Sequence, residues 1–276
     1  MATLKEKLSL DGRVAIVTGA SVPRGIGKAC CVALAEAGAT VVLTDRVAPG
    51  DDVARAAIDA AVGDLTAAGH QAIGVAVDVT RPKDIGNCVD STREQFGRID
   101  ILVNNAGVTL GSGPFLDTDL AEWQLSWDIN VMGMVHFCRA VLPGMKEQGG
   151  GCIINNSSMA GLSAHAGYGA YTATKHAVMG LTRTLADEFG PDNIRVLSIN
   201  PGYIDTEMND YQIQALAGLW GTTPAEARAR MEGQTGLRRF AQPGEIGATV
   251  AFLASDAAGY ITGVPTVIAG GLHPGL

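Results

Sequence analysis

Short runs of aliphatic and β-branched residues alternate along the chain with longer, alanine-rich stretches. Short runs of this composition are typical of strands, and the longer stretches have the length of helices. The pattern predicts strands at residues 13–18, 40–44, 72–77, 99–103, 152–156, 194–199 and 264–268. It predicts helices at residues 25–37, 51–68, 82–96, 120–147, 168–189, 223–231 and 243–254. We expect the longest helix to bend or end near Pro143, because proline removes a helical hydrogen bond.

The predicted strands are apolar on both faces, and helices separate them along the chain. This order indicates an α/β fold with a doubly wound parallel sheet of about seven strands and helices on both faces. No linker, repeat or low-complexity segment interrupts it, so we interpret residues 1–276 as a single domain. In such sheets ligands bind beyond the carboxyl ends of the strands, and the loops there are the places to search for chemistry.

Charge and cysteine content narrow the class of protein. The net charge of −8 disfavours nucleic acid and anionic membranes as partners, since both require a basic surface. The five cysteines are scattered without a CxxC pair and the histidines lack metal-ligand spacing, so we predict reduced thiols and no metal site. The charged amino terminus does not resemble a signal peptide, and we find no membrane span. We therefore expect a cytoplasmic protein.

A glycine-rich turn, TGASVPRGIG at residues 18–27, connects the first strand to the first predicted helix. Free backbone N–H groups and the helix dipole make such a turn a site for phosphate. Its position directly after a strand is typical of a dinucleotide-binding loop. The predicted cofactor contacts in this turn are Gly19, Ser21, Arg24, Gly25, Ile26 and Gly27.

The residues after the second strand bear on the choice between NAD and NADP. Asp45 ends that strand, where a carboxylate accepts the ribose hydroxyls of NAD and repels the 2′-phosphate of NADP. Arg24 and Arg46 favour NADP, because either could pair with that phosphate. We give Asp45 more weight, since it would contact the ribose itself, and predict NAD with NADP as the alternative.

Tyr171 and Lys175 are four residues apart on a predicted helix, so they share one face. The ordinary pKa of tyrosine, about 10, is too high for efficient proton transfer at neutral pH. A neighbouring lysine cation lowers that pKa by stabilising the phenolate. Ser158, at the end of the fifth strand, precedes the tyrosine by thirteen residues.

Together these residues resemble the classical short-chain dehydrogenases/reductases, over about residues 10–271. The resemblance implies a Rossmann-type fold. It also implies further cofactor contacts: an adenine-contacting pair after the third strand, an NNAG motif after the fourth and a PG…T segment after the sixth. The residues concerned are Asp78, Val79, Asn105, Ala106, Gly107, Pro201, Gly202, Ile204 and Thr206. One departure is the glycine loop, in which five residues rather than three separate the first two glycines.

The resemblance also implies a catalytic set with distinct roles. Tyr171 would be the general acid and base, and Ser158 would hydrogen-bond the substrate oxygen. Lys175 would lower the pKa of Tyr171 and hold the nicotinamide ribose, so both residues are also cofactor contacts. Asn130 would bend the long helix and anchor a water chain to the lysine. The implied enzyme is an oxidoreductase that transfers a hydride between NAD(H) and a secondary alcohol or ketone.

Residues 207–235 lose regular periodicity, and in the resembled family this region is a variable lid over the substrate. Trp220 could contact substrate or could equally pack within the lid or against another subunit. The predicted substrate contacts are Ser158, His165, Tyr171, Tyr203, Met208 and Trp220.

Two other functions remain open. One is an NADPH-dependent ketoreductase resembling the 3-oxoacyl carrier-protein reductases, and the other is a dinucleotide sensor without catalysis. The intact set of Asn130, Ser158, Tyr171 and Lys175 argues against the sensor. The resemblance implies a homotetramer, with a dimer as the alternative, and we expect the uncharged tail up to residue 276 to be buried, for which a neighbouring subunit is a natural place.

Overall fold

The computed structural model describes residues 2–272 and has a single parallel sheet at its centre. The seven strands run in the order β3-β2-β1-β4-β5-β6-β7, which confirms the predicted doubly wound arrangement. Val17 of β1 pairs with Leu43 of β2 and Val103 of β4, so the loops that follow these strands meet at one edge. The strands are β1 (Val14–Thr18), β2 (Thr40–Asp45), β3 (Ala72–Ala76), β4 (Ile101–Asn104), β5 (Gly151–Asn156), β6 (Ile194–Pro201) and β7 (Pro265–Ile268).

Helices cover both faces of the sheet, because successive strand residues point to opposite sides. Ala15 and Val17 pack with α2, α3 and α10, whereas Val14 and Ile16 pack with α4, α6 and α7. This explains why apolar residues occur on both faces of the central strands. The helices are α1 (Leu4–Leu8), α2 (Ile26–Glu36), α3 (Asp52–Ala67), α4 (Pro82–Phe96), α5 (Leu120–Trp127), α6 (Gly133–Glu147), α7 (Gly169–Phe189), α8 (Glu207–Trp220), α9 (Pro224–Gln234) and α10 (Pro243–Ala254).

The single long helix predicted at residues 120–147 is in fact two helices. A π-helical turn at Asp128–Met132 joins α5 to α6 and contains Asn130. Contrary to one of our two expectations, Pro143 does not end the helix, because it lies inside α6. The apolar face of α6, which includes Phe137 and Met145, is buried against the sheet on both sides of the proline and holds the helix together.

Two helices were not predicted from the sequence, the short α1 and the longer α8. Thr206 caps α8 by accepting a hydrogen bond from the N–H of Asn209, and Glu207 and Asp210 place acidic groups in its first turn. We refer to residues 207–234 as the α8–α9 segment. Its buried side chains form a small separate core with Phe240. Because this core needs few apolar residues, the sequence of the segment shows only a weak helical periodicity. The buried members of that core are Ile213, Ala217, Ala227, Met231 and Phe240.

The other predicted elements agree with the observed ones to within three residues at either end. In the part of the chain that the structure describes, no helix has the length and apolar character needed to cross a membrane. The last four residues of the tail that we expect to be buried, 273–276, lie outside the described residues.

Candidate active site

The glycine loop between β1 and α2 lies directly against the loop that follows β4. Gly19 has a φ of +63°, and a Cβ there would lie 2.8 Å from Ala106 Cα. A Cβ on Gly27 would lie 2.4 Å from the carbonyl oxygen of Gly19, so both positions require glycine. Gly25 begins α2 without a side-chain cap, which leaves the N–H groups of Ile26 and Gly27 available to an anion.

The side chain of Asn105 ties three strand ends together. Its Nδ2 donates to the carbonyl oxygens of Thr18 and Gly19, both at 2.8 Å, and its Oδ1 accepts from Asn156 Nδ2 at 2.9 Å. The backbone N–H groups of Asn105 and Ala106 donate to the hydroxyl of Thr18 at 2.9 Å. The carboxyl ends of β1, β4 and β5 are therefore joined by directional bonds at the predicted cofactor site.

Asp45 points back toward the glycine loop from the end of β2. Its Oδ2 accepts from the N–H of Ser21 at 2.9 Å and from the Ser21 hydroxyl at 2.7 Å. Its Oδ1 accepts from the backbone N–H of Arg46 at 2.8 Å, while the Arg46 side chain is exposed. The carboxylate is thus fixed beside the loop where the sequence predicts the adenosine ribose.

Arg24 makes contacts that the sequence did not predict. Its backbone N–H donates to Glu207 Oε1 at 3.0 Å, and its guanidinium forms an ion pair with Asp210. Asp205 also lies 3.8 Å from the guanidinium. Hydrogen bonding to Asp210 raises the pKa of Arg24 above its ordinary value. Arg24 therefore joins the glycine loop to the first turn of α8, and a phosphate would have to compete with these carboxylates for it.

Asp78 and Val79 follow β3, as the resemblance implies. The Asp78 carboxylate accepts from the N–H of Thr80 at 2.9 Å and from its hydroxyl at 2.6 Å. Burial acts to raise the pKa of Asp78, but these bonds and the charges of Arg81 and Arg46 together lower it. Val79 packs against Gly133 at the start of α6.

Ser158, Tyr171 and Lys175 lie together beyond the end of β5. Burial raises the pKa of Tyr171, and a hydrogen bond with Ser158 opposes that rise. Lys175 is buried, and its ammonium donates to the carbonyl oxygen of Asn156 at 2.7 Å and lies 5.4 Å from the centroid of the Tyr171 ring. Burial lowers the pKa of Lys175 to about 8. The expected lowering of the Tyr171 pKa by Lys175 is not seen in this arrangement, because desolvation of the phenol dominates.

Asn130 links the π-helical turn to both the NNAG loop and the catalytic helix. Its Oδ1 accepts from the N–H of Val108 at 2.8 Å, and its Nδ2 donates to the carbonyl oxygen of Val108 at 2.9 Å and to the Thr174 hydroxyl at 3.1 Å. A Cβ on Gly107 would lie 3.3 Å from Asn130 Oδ1 and 3.6 Å from Lys175 Nζ. Gly107 therefore separates Asn130 from the lysine.

The segment after β6 brings the predicted carboxamide contacts to the same edge of the sheet. The N–H of Gly202 donates to the carbonyl oxygen of Ile268 at 3.0 Å, which extends the sheet beyond Pro201. Ile204 is buried, and its carbonyl oxygen accepts from Asn209 Nδ2 at 2.5 Å. Thr206 is also buried and caps α8, so the start of this helix lies at the predicted nicotinamide end of the site.

Of the predicted substrate contacts outside the catalytic set, two are exposed and two pack against other side chains. His165 and Met208 are exposed. Tyr203 packs against Phe240, with ring centroids 5.4 Å apart, and its hydroxyl donates to Gln234 at 2.8 Å. Trp220 stacks under the guanidinium of Arg230 at 4.2 Å and joins the core of the α8–α9 segment, which corresponds to the second of its two alternatives.

Three residues of the site escaped the sequence analysis. Asn156 holds Lys175 through its carbonyl oxygen, and Thr18 accepts two N–H groups of the NNAG loop. Gln212 of α8 lies near Tyr168 and acts to lower the pKa of its phenol, which in turn raises the pKa values of Tyr171 and Tyr203. The polar ends of apolar strands β1 and β5 were a usable signal for the first two. The interaction of Gln212 depends on how α8 docks, and no local pattern indicates it.

Comparison with known proteins agrees with this arrangement. A family model described as enoyl-(acyl carrier protein) reductase matches residues 19–273. Cis-4-hydroxycyclohexanecarboxylate dehydrogenase of Sinomonas cyclohexanicum is 38% identical over 259 residues, covering 94% of this chain and 96% of the relative. A solved structure of NAD⁺-bound xylitol dehydrogenase has a TM-score of 0.88 and 35% identity, with 95% and 99% of the two chains covered. L-sorbose reductase from Gluconobacter frateurii, solved with NADPH and L-sorbose, has a TM-score of 0.86 and 34% identity, with 98% and 100% covered.

The glycine loop follows β1 at the edge of the sheet, where β4 is the neighbouring strand, and the Ser–Tyr–Lys set lies at the same edge. This combination defines the class of dinucleotide-dependent dehydrogenases and reductases. The match of a family model to most of the chain and the similarity over the full length of the relatives identify the family within that class. The chain belongs to the short-chain dehydrogenase/reductase family. It is an oxidoreductase that acts on CH–OH groups.

Proposed function

We propose that the protein transfers a hydride between NAD(H) and a secondary alcohol or ketone. The observation that carries this proposal is the contact of Tyr171 with Ser158, beside the buried ammonium of Lys175 and at the same sheet edge as the glycine loop. The related enzymes whose names refer to a hydroxycyclohexane ring, xylitol and sorbose support a cyclic or polyol-like substrate.

The residues at the glycine loop fit a dinucleotide. Gly19 and Gly27 keep the backbone open where side chains would collide, and the first turn of α2 offers unpaired N–H groups for a diphosphate. Asp45 would accept the adenosine ribose hydroxyls, Asp78 and Val79 would lie at the adenine, and the segment from Pro201 to Thr206 would hold the carboxamide. When bound, the nicotinamide supplies or accepts the hydride, and the protein orients it.

Tyr171 moves the proton in this proposal. Because burial raises its pKa, the phenol is protonated at neutral pH and can donate to the oxygen of a ketone as negative charge develops there. Ser158 donates a hydrogen bond to the same oxygen and stabilises that charge. In the oxidation direction the phenolate is required, and the Lys175 cation, which persists below a pKa of about 8, stabilises it.

A small polar cavity provides the first step of a proton path away from Lys175. It has a volume of about 10 Å³, which is at the lower limit for one water molecule, and its lining includes Thr18, Asn104, Asn130 and Asn156 beside apolar residues such as Phe137. The Oδ1 of Asn156 is buried and has no hydrogen-bond partner, although its backbone carbonyl holds Lys175. A water molecule there would satisfy this oxygen and connect the lysine side of the site to Asn130.

Asp45 supports NAD over NADP, since its carboxylate is fixed by Ser21 where a 2′-phosphate would have to approach. We expect titration of the purified protein with NADH and NADPH to show tighter binding of NADH. Asp45→Asn should weaken the binding of NADH by about tenfold, because one charge-assisted contact is lost. It should also narrow the difference in affinity between NADH and NADPH. Tighter binding of NADPH by the unaltered protein would contradict this choice.

The alternative is an NADPH-dependent ketoreductase of the carrier-protein type. The family description and the proximity of Arg46 to Asp78 favour it, because a cation near the adenosine could take a phosphate. The three carboxylates around Arg24 count against it, since they occupy the other candidate cation. Turnover of a β-ketoacyl thioester with NADPH, and none of simple alcohols with NAD, would establish this alternative.

The catalytic test is Tyr171→Phe, which removes only the hydroxyl. We expect kcat to fall by about 10²- to 10⁴-fold, the range for loss of a general acid, while binding of NADH measured by nicotinamide fluorescence stays the same. Tyr260→Phe removes the same atom from a fully exposed residue and should leave kcat unchanged. Unchanged turnover in Tyr171→Phe would exclude this mechanism.

The proposal also includes an oligomeric state and a cytoplasmic location. Exposed apolar residues on α5 and in β7, including Leu120, Trp127 and Val267, favour a homotetramer or dimer in which they are covered. Sedimentation analysis tests this directly. The five cysteines are free and buried, which is consistent with the reducing conditions of the cytoplasm.

A further inference from the structure

The polar contacts between the glycine loop and the α8–α9 segment run through one residue. Within residues 2–272, every hydrogen bond and ion pair between residues 18–27 and residues 203–234 involves Arg24. The backbone N–H of Arg24 reaches Glu207, and the guanidinium is paired with Asp210 and lies 3.8 Å from both Glu207 and Asp205. These are two elements that are far apart in the sequence, and Arg24 holds one on the other.

The first turn of α8 contains more than the acidic partners of Arg24. Thr206, the residue that caps this turn, is one of the predicted carboxamide contacts, whereas the glycine loop is the predicted pyrophosphate site. We propose that Arg24 is a positioning residue that fastens the first turn of α8, and with it Thr206, at the correct distance from the glycine loop. Its catalytic consequence rests on the proposed dinucleotide site, but the fastening itself is a property of the protein alone.

Charge explains why this position needs a cation. Asp205, Glu207 and Asp210 place three negative charges near the loop. Among the described residues their ion-pair partners are Arg24 and Arg228, the latter 3.1 Å from Asp205 and also paired with Glu232. Without Arg24 the cluster would carry a formal charge of −2 instead of −1, beside a loop that we expect to hold a diphosphate. The carboxylates would then repel the glycine loop's ligand and lose their attachment to the loop.

The size of the effect follows from exposure. The Arg24 side chain is 48% exposed, and exposed ion pairs are individually weak. Here one guanidinium serves three carboxylates and its own backbone N–H makes a fourth contact, so we expect a measurable but modest loosening of α8 rather than loss of the fold.

The first experiment uses the protein without cofactor and measures amide hydrogen exchange. In Arg24→Gln we expect exchange within residues 207–220 to become faster by about five- to tenfold, with β1 and β4 unchanged. Arg24→Lys keeps the charge but not the planar guanidinium, so its exchange rate should lie between those of Arg24→Gln and the unaltered protein. Arg230→Gln is the matched control, because it removes the same charge from the α8–α9 segment without touching the glycine loop. Equal exchange in Arg24→Gln and the unaltered protein would overturn the proposal.

The second experiment separates fastening from direct contact with the cofactor. We expect Arg24→Gln to raise the KM for NAD by several-fold with a smaller change in kcat, and this effect to shrink when Asp210→Asn is already present. Full additivity of the two changes would show that Arg24 acts on the cofactor alone and would overturn the proposal. If the protein bound no dinucleotide, the proposed function would fail, while hydrogen exchange would still decide whether Arg24 fastens α8.

Discussion

The two sides of the site are built in different ways. On the predicted cofactor side, backbone contacts and hydrogen bonds of the Asn105 side-chain amide hold the ends of β1, β4 and β5 together. The surroundings of these bonds are tightly packed. On the side predicted to receive the substrate, the α8–α9 segment has a small core of its own and is attached to the glycine loop through exposed ion pairs of Arg24. We therefore expect the first side to tolerate few changes, least of all at Gly19 and Gly27, and the second side to tolerate more.

The sharpest test of this difference is a pair of glycine variants. In Gly27→Ala the new Cβ would lie 2.4 Å from Gly19 O and 2.5 Å from Asn105 Nδ2, so we expect a loss of about 3 kcal/mol in unfolding free energy and loss of NADH binding. Gly63→Ala, in the open surroundings of α3, should stabilise the protein by about 0.5–1 kcal/mol. Urea denaturation measures both, and a neutral Gly27→Ala would show that the cofactor side is more plastic than we infer.

The buried charge of Lys175, on the predicted cofactor side, should lower the free energy of unfolding. Its pKa is lowered by burial from 10.5 to about 8, so the unfolded chain binds more protons between these values and stability rises with pH across that interval. Below pH 8 the buried charge destabilises the fold. After allowance for the lost bond to Asn156, we expect Lys175→Met to be more stable by about 2 kcal/mol at pH 7, and inactive.

The difference between Lys175→Met and the unaltered protein should shrink as pH rises from 8 to 10.5, because the lysine is then neutral in the folded protein. Urea titrations of both proteins at several pH values in the absence of cofactor measure it. A difference independent of pH would mean that packing, and not the buried charge, sets the stability at this position.

The smallest effect is expected in the α8–α9 segment. Arg230→Gln removes a guanidinium that stacks on Trp220 at 4.2 Å, and exposed contacts of this type contribute less than about 1 kcal/mol. We expect urea denaturation to show a change within that limit and NADH binding to be unaffected. A loss of several kcal/mol would show that the segment is as tightly integrated as the cofactor side and would remove the contrast between them.

The same contrast explains what could be predicted from the sequence. The sheet, the glycine loop and the placement of Asp45 and Tyr171 follow from patterns that are local in the chain, such as apolar strands, required glycines and helical spacing. Helix α8 was not predicted, because its stability depends on a cap at Thr206 and on a core shared with α9.

Contacts between distant segments had no local signal at all. The pairing of Arg24 with Asp210, and the proximity of Tyr168 to Gln212, depend on how α8 docks on the rest of the domain. The pKa of Tyr171 escaped for a similar reason, since spacing identified the lysine but not the depth of burial.

The π-helical turn at Asp128–Met132 has a consequence for insertions and deletions. Each residue advances an α-helix by about 100°, and a π turn contains one residue more than an α turn, so it sets the phase between α5 and α6. Helix α6 thereby turns its apolar side to the sheet, while α5 leaves Leu120 and Trp127 exposed. Deleting a single residue from this turn would act as a rotation rather than a shortening: it would turn the whole of α5 by about a quarter of a circle relative to Asn130 and the sheet.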